Sequence, residues 1–509
     1  MDPVELSLFA KRIEAICEEM GGSLKASAFS PNIRDRLDFS CALFDASGAL
    51  IGQSAAIPVH LGSMAFAMQA VIEEAGEAGE TDAQLVFNDP YRGGTHLPDV
   101  TVVYPIRCNG KLVGFAANRA HHADIGADSP GSMPISRRLE HEGLIITPTW
   151  VTAKGPAMER ILSRLSDGGG AARGDFIAQF SANLTGARRV EEWIETASID
   201  AFETGCRALN DYGERLARST IAGIPDGHYR FADLLDDDGC GNRDLRIALQ
   251  LQVDGEELTC DFRKSNDQVE GNVNCPRPVV AAAVFFVLRC LMPRYTPNCA
   301  GCLRPLAIVT RTGSLLDPEP GAAVAAGNVE TSSRIVDVVC GALAQAIPEA
   351  IPAAAQGTMN NIAMGQTGNH PWHYYETLAG GYGASATAAG APATHSHMTN
   401  TLNTPIEVAE WNYPLRIEAY AIRRGSGGAG RHAGGDGLTR SYRMLEPTTV
   451  TLITERRSTA PWGRNGGEEG QPGRNTLNGE VVDAKVQLEL EAGDLLTIET
   501  PGGGGFGRA

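Results

Sequence analysis

Asn109-Gly110 restricts the fold of this chain more than any other pair of residues. It stands between two apolar-rich runs, Val100–Cys108 and Lys111–Asn118. A two-residue turn with positive φ at both positions suits Asn-Gly and matches the right-handed twist of the flanking strands. A tight antiparallel hairpin is expected, and its register follows from the turn. Cys108 opposes Lys111, so Asp99 faces Ala120 and Pro98 faces His121. Asp99 and His121 then lie one position apart. Strict alternation puts them on opposite faces, unless a bulge or the exit from the sheet turns one of them.

The open end of that hairpin carries the polar residues of interest. On one side stands Gly93-Gly94-Thr95-His96-Leu97-Pro98-Asp99, where two glycines and a proline exclude a helix. On the other stands Asn118-Arg119-Ala120-His121-His122-Ala123-Asp124. His96, Asp99 and His121 can meet here. Imidazole and carboxylate together suit Zn²⁺, Mn²⁺ or Fe²⁺, and no cysteine competes locally. His122 and Asp124 are close enough to orient ligands or act as a general base. Asp89 and Glu142 are more distant candidates. The same residues also fit a polar strand end whose histidines cap loops. A second cluster, His395-Ser396-His397, would place both imidazoles on one face of a strand, as metal ligands or as surface residues.

Elsewhere the chain alternates between strand-like and helical stretches. Asp2, Pro3 and Glu5 look like a helix start, followed by Leu6, Phe9, Ile13, Ile16 and Met20 at helical spacing and a stop at Gly21-Gly22. Phe39–Phe44 and Ala49–Gln53 flank a hairpin-like loop. The glycine-rich stretch Asp167–Asp175 reads as a linker before a helical region, Phe176 to Ile221. Leu245–Val253 and Leu258–Phe262 form another hairpin about Asp254-Gly255, and Pro276–Leu291 a buried helix. Pro348 and Pro352 suggest a second boundary, and the last third is rich in glycine turns. The expected fold is α+β and β-rich, with antiparallel hairpins at both ends and a helical middle. At about 150 residues per unit, three subdomains are expected: 1–166 around the metal-type residues, 167–347, and 348–509.

Composition narrows the function. The 509 residues are 43% hydrophobic and 20% charged, as in a globular chain with a sizeable core. The net charge of −18, without a basic run, excludes nucleic acid as a partner. No apolar stretch is long enough to span a membrane and no signal peptide is legible, so a cytoplasmic location is expected. Eleven scattered cysteines suit reduced buried thiols. Cys299-Ala300-Gly301-Cys302 lacks the second pair of a zinc ribbon. There is no P-loop and no G-x-S-x-G nucleophile motif.

Several long segments, in order from end to end, carry a resemblance. NDPYRGGTHLPDV (88–100), RAHHADIGADSPGSMP (119–134), RLDFSCALFD (36–45), IPVHLG (57–62), IPDGHYRFADLLDDDG (224–239), HMTNTLNTPIEVAE (397–410) and PGGGGFG (501–507) resemble the hydantoinase B/oxoprolinase family. That resemblance implies one subunit of an ATP-dependent cyclic-amide hydrolase acting on a hydantoin, 5-oxoproline or a lactam. It implies a hydantoinase A-like partner that binds ATP and phosphorylates the small cyclic-amide substrate, and hence a hetero-oligomer. It also implies a divalent metal held by Asp38, His96, Asp99 and His121. Catalytic proton transfer then falls to His122, Asp124 or Glu142. A subunit of an acetone- or acetophenone-type ketone carboxylase is the first alternative, and a scaffold for the ATPase partner the second. The chain departs from the family pattern at Ala127, where a second glycine is usual, and over Ile145–Val151.

Overall fold

A computed structural model describes all residues except 55–56, 76–81, 166–169 and 368–370. The described helices are α1 (Pro3–Ser27), α2 (Pro31–Arg34), α3 (Pro58–Ala75), α4 (Pro156–Leu162), α5 (Gly170–Ala197), α6 (Ile199–Ile221), α7 (Arg277–Leu291), α8 (Ser332–Leu343) and α9 (Ile406–Asn412). The capping box at Asp2 and Glu5 forms as the sequence predicts. The helix does not stop at Gly21-Gly22, however, but continues to Ser27. Two glycines cost about 1 kcal/mol each in a helix. Burial of Cys17, Met20 and Leu24 along one face of α1, which packs on α5, outweighs that. The expected linker at 167–175 is also corrected. Residues 167–169 lie outside the described residues, as does the 166/167 boundary, but Gly170 onward is the first turn of α5. Buried Asp175 accepts from the Phe29 and Ser30 backbone N–H groups there.

The N-terminal sheet contains β1 (Phe39–Asp45), β2 (Leu50–Gln53), β3 (Gln84–Phe87), β4 (Asp99–Cys108), β5 (Lys111–His121) and β6 (Thr149–Val151), in the order β2-β1-β5-β4-β3-β6. All its pairings are antiparallel. Both faces are covered. Cys41 and Leu43 share a core with residues of α1, while Ala42 and Phe44 pack with Met64 and Met68 of α3. Residues of β3 and β4 pack against Phe176 and Phe180 of α5.

A second sheet, β10-β9-β8-β7, is built from β7 (Gly227–Asp237), β8 (Arg243–Asp254), β9 (Glu257–Asp261) and β10 (Leu306–Val309). Helix α8 lies against β7 and β8, and α7 bridges α8 to α3. Strands β11 (Asn361–Gln366), β12 (Trp372–Thr377), β13 (Leu415–Arg423), β14 (Gly437–Met444), β15 (Thr448–Ile453), β16 (Arg474–Leu477), β17 (Glu480–Val482), β18 (Lys485–Leu490) and β19 (Leu495–Glu499) form two further sheets. Their orders are β12-β11-β15-β18 and β13-β14-β19-β16-β17. The fold is thus α+β, with several antiparallel sheets and long helices through the middle. One apolar core runs from Phe9 to Ile453.

The glycine clusters of the last third do more than turn the chain. Residues 501–505 thread between the loops at 381–384, 426–435 and 464–470, exchanging backbone hydrogen bonds with each. Gly503 donates to Gly435 O and accepts from Gly428 N, and Gly504 donates to Ala354 O and accepts from Ala384 N. A Cβ on Gly503 would collide with the Tyr382 carbonyl. These N–H groups are bonded to carbonyls and do not form an anion cradle.

Candidate metal centre

The hairpin turn forms at Asn109-Gly110 with positive φ at both residues. Cys108 pairs with Lys111 and Arg107 with Leu112, as counted from the turn. Between Ile106 and Arg107 the register shifts, and Ile106 pairs with Gly114. The additional residue on β5 is Val113. From there outward every pair is displaced by one, so Asp99 lies directly opposite His121. The bulge places the two side chains on one face, where unbroken alternation would have separated them.

Three neighbouring strands bring candidate ligands to the same end of the N-terminal sheet. Asp38 immediately precedes β1, Asp99 opens β4 and His121 closes β5. The His121 N–H donates to Asp38 O at 3.0 Å, tying the first and last together. His96 arrives on the loop before β4. Gly94 is required there because a Cβ would collide with the Asn88 carbonyl. The backbone then bends so that the Asp99 N–H donates to His96 O at 3.1 Å. Candidate ligand atoms of His96, Asp99 and His121 all lie within 4.8 Å of one another, and all three residues are buried. Asp38 lines the same cavity.

The cavity also contains a residue that spacing did not reveal. His60, in the first turn of α3, has its Nε2 3.4 Å from Asp99 Oδ2 and its Nδ1 3.0 Å from Ser40 Oγ. The segment IPVHLG contains it, but nothing local marks it as a ligand. Asp99 Oδ2 further accepts from Thr95 Oγ1 at 2.7 Å and Asn328 Nδ2 at 3.3 Å. His121 is stacked on Tyr375 with ring centroids 4.7 Å apart and planes 6° from parallel.

Electrostatics follow from burial and proximity. Burial pushes the Asp99 carboxyl upward, but His96 and His60 outweigh it and hold it well below the ordinary carboxylate range. Burial raises Asp38, with Arg36 opposing. Burial, reinforced by His96, holds His121 well below an ordinary histidine. His96 is raised, because Asp99 outweighs the effect of burial.

The donor set suits a borderline divalent cation. His96 Nδ1 lies 3.3 Å from the Ala325 carbonyl, a contact that places a proton on Nδ1 and leaves Nε2 free to ligate. His121 Nε2 is buried without a hydrogen-bond partner, and His96 Nε2 lies 3.3 Å from Asp99 Oδ2. The cavity measures about 20 Å³, room for one ion or water and not for an organic ring. Nitrogen and carboxylate oxygen without thiolate fit Zn²⁺, Mn²⁺ or Fe²⁺.

The remaining sequence candidates lie outside this cavity. His122 follows His121, so its side chain takes the other face. Its Nε2 donates to Gln179 Oε1 at 2.9 Å, and its ring packs 4.7 Å from Phe176. That bond begins a buried ladder. Gln179 Nε2 donates to Asn118 Oδ1, Asn118 Nδ2 to Asn183 Oδ1, Asn183 Nδ2 to Gln84 Oε1, and Gln84 Nε2 to Phe180 O, over 2.8–3.1 Å. Every donor points the same way. Asp124 is half-buried and accepts from the Gly126 N–H at 2.7 Å.

Glu142 is buried, and its Oε1 accepts from Ser136 Oγ and from the Val324 and Ala325 N–H groups. Ala325 stands between it and His96, its N–H donating to Glu142 and its carbonyl 3.3 Å from His96 Nδ1. Asp89 caps the loop at Tyr91. His395 and His397 do not share a strand face, because residues 395–399 are loop and turn and His397 has φ 59°. His397 Nε2 lies 3.1 Å from Asp337 Oδ1, and burial holds His395 down at about 4. Cys299 and Cys302 are buried thiols with sulfurs 4.0 Å apart.

Comparison with known proteins gives the family. The sequence pattern described as Hydantoinase B/oxoprolinase matches residues 2–509. The chain belongs to that family. It is 37% identical over 545 residues to 5-oxoprolinase 1 of Arabidopsis thaliana, covering 99% of this chain and 42% of the relative. It is 36% identical over 524 residues to 5-oxoprolinase of Dictyostelium discoideum, covering 100% and 40%. The family member thus spans about two fifths of the length of these relatives. Among solved structures, the ATP-dependent caprolactamase from Pseudomonas jessenii superimposes with a TM-score of 0.92 at 26% identity, covering 100% of this chain and 91% of that one. Among the described residues no helix is long and apolar enough to cross a membrane.

Proposed function

We propose that this chain is the ring-opening subunit of an ATP-dependent cyclic-amide hydrolase. The observation that carries the reading is the buried His96–Asp99–His121 cluster around an ion-sized cavity, in a chain whose relatives are named for 5-oxoproline and caprolactam. The 5-oxoprolinases are more than twice as long as the matched region. The remaining function, binding ATP and phosphorylating the lactam oxygen, is therefore assigned to a hydantoinase A-like partner.

Asp38, His96, Asp99 and His121 would hold a divalent metal, Zn²⁺, Mn²⁺ or Fe²⁺. When bound, such an ion lowers the pKa of water from about 15.7 to about 7 and so supplies a nucleophile at neutral pH. The chain's own residues orient the site. Ala325 O fixes the His96 ring, Thr95 and Asn328 fix Asp99, and Tyr375 supports the His121 ring from one face. Attack of water on the carbon that bears the O-phosphoryl group, with a proton delivered to the ring nitrogen, breaks the C–N bond and gives a ring-opened acyl phosphate, and a second water releases phosphate and the amino or ureido acid. Neither His122 nor Asp124 lines the cavity, so His60, with Nε2 facing Asp99, is assigned the proton transfer. A cyclic amide exceeds the cavity of about 20 Å³. Part of the cavity wall therefore has to move for substrate to enter.

The test is ATP-dependent turnover of a panel of hydantoins, 5-oxoproline and caprolactam by the chain co-expressed with its partner, with metal analysis. His96→Ala should lose both metal and turnover. Full turnover by that variant with no metal bound would refute the reading, and turnover dependent on bicarbonate would transfer it to the ketone carboxylases.

A further inference from the structure

We propose that Asn32 sets how tightly this site holds a divalent ion, by deciding which ring nitrogen of His121 carries the proton. The inference rests on the metal reading above and adds a positioning residue to it.

The two histidines of the cluster stand in opposite hydrogen-bonding surroundings. His96 Nδ1 lies 3.3 Å from the Ala325 carbonyl, an acceptor. His121 Nδ1 lies 3.3 Å from Asn32 Nδ2, a donor. The orientation of that amide is fixed from its other side. Asn32 Oδ1 accepts from Arg36 Nη1 at 3.2 Å, and a guanidinium has donors only. The carboxamide oxygen therefore faces Arg36, and its NH₂ faces His121. Arg36 is fully buried and held in place. Its Nη1 also donates to Tyr375 O at 2.9 Å, its Nη2 donates to Thr377 Oγ1 at 3.3 Å, and its Cζ lies 4.9 Å over the Tyr375 ring. Asn32 is buried too, and its carbonyl accepts from the Asp38 N–H at 3.0 Å.

A neutral imidazole has one N–H and one lone pair, and the bond made at one nitrogen dictates the state of the other. His121 Nδ1 accepts, so its proton sits on Nε2. Neither nitrogen then offers a lone pair to an ion: Nδ1 is taken by the amide and Nε2 is protonated. A metal-bound histidine almost always donates its other N–H to an acceptor. His96 is placed to do so, and His121 is not. Ligation through His121 Nε2 requires one proton to leave Nε2 and one to bind Nδ1, so the ring stays neutral. It also requires the Asn32 amide to turn over and accept from Nδ1. Turned over, its NH₂ meets the donors of Arg36, and the charge-assisted bond to Oδ1 is lost. An ion is thus held against that bond, and the site exchanges an ion that an acceptor at position 32 would retain.

Competition for Zn²⁺ between the full chain and a chromophoric chelator tests this. Asn32→Asp offers one oxygen to Arg36 and the other to an Nδ1–H, and should bind Zn²⁺ at least about tenfold more tightly than wild type. Its added negative charge acts in the same direction, so Asn32→Ala is the deciding variant. It removes the donor without adding charge, and should bind Zn²⁺ at least as tightly as wild type. Loss of a partner that merely orients the ring would weaken binding by about tenfold or more. Should either variant not fold, the wild type alone answers. ¹⁵N spectra of the metal-free chain labelled at histidine, with His121 identified by its loss in His121→Gln, should show the proton on Nε2. Weaker binding by Asn32→Ala, no gain in Asn32→Asp, or a proton on Nδ1 in the metal-free wild type would each overturn the inference and leave the metal reading standing. A wild type that takes up no Zn²⁺, Mn²⁺ or Fe²⁺ would overturn the metal reading, and this inference with it.

Discussion

Replacing Gln179 by leucine cuts the amide ladder beneath β4 and β5 at its most connected link. The glutamine accepts from His122 Nε2 at 2.9 Å and donates to Asn118 Oδ1 at 2.9 Å and to Val100 O at 3.0 Å. Leucine keeps most of the volume and none of these bonds. His122 Nε2 and Asn118 Oδ1 are then buried without the partner each has now. An unsatisfied buried group costs about 1–3 kcal/mol, so the variant should lose roughly 2–6 kcal/mol. Urea unfolding followed by circular dichroism measures this as a lower midpoint at unchanged slope. Gln179→Glu gives the sharper control. Its carboxylate still accepts from His122, but its second oxygen faces two acceptors, Asn118 Oδ1 and Val100 O. It should be destabilised at pH 8 and partly rescued at pH 5, where a protonated carboxyl can donate again. Stability of Gln179→Leu within about 0.5 kcal/mol of wild type would refute the argument that the ladder holds this end of the sheet.

Three other outcomes follow from the site. Gly94→Ala drives a Cβ into the Asn88 carbonyl, so it should displace His96 and lower bound metal, measured by elemental analysis of the purified chain. Burial raises Glu142 from 4.5 to about 7, so the native state holds a proton there that the unfolded chain releases above about 4.5. Wild-type stability should fall by an amount on the order of 3 kcal/mol as pH rises across that window, and the fall should be absent in Glu142→Gln; parallel pH profiles for the two proteins would refute the shift. His60→Ala should retain metal while losing ATP-dependent turnover, and a full loss of metal instead would make His60 a ligand.

Much of the N-terminal sheet was legible because local chemistry specifies it. Asn109-Gly110 fixed the hairpin, but His122 was read as part of the site although period-2 alternation turns it to the other face, against Gln179. The bulge was not legible, since Val113 is an ordinary strand residue and no turn signal marks the extra position. Asp38 entered only through family resemblance, because its side chain reaches the cavity by strand adjacency and not by sequence spacing. His60 escaped for a related reason. It is brought in by α3, whose placement depends on α7 more than two hundred residues later. Gly21-Gly22 and the stretch from Gly170 misled because tertiary burial overrode local propensity. The glycine-rich loops of the last third were read as turns, whereas they are the close contacts of one backbone layer.

That layer bears on the order in which the protein is made. Residues 501–505 are synthesised after every loop they separate, at 381–384, 426–435 and 464–470. Until they leave the ribosome, those loops lack the backbone partners that residues 501–505 supply. The N-terminal sheet, with its hairpin and three of the cavity's strand ends, can pair long before that. Tyr375, Met398 and Thr401, which complete the cavity wall, belong to the part that waits. A nascent chain would therefore have the strand ends that carry Asp38, Asp99 and His121 available for pairing before the residues that complete the cavity wall are made.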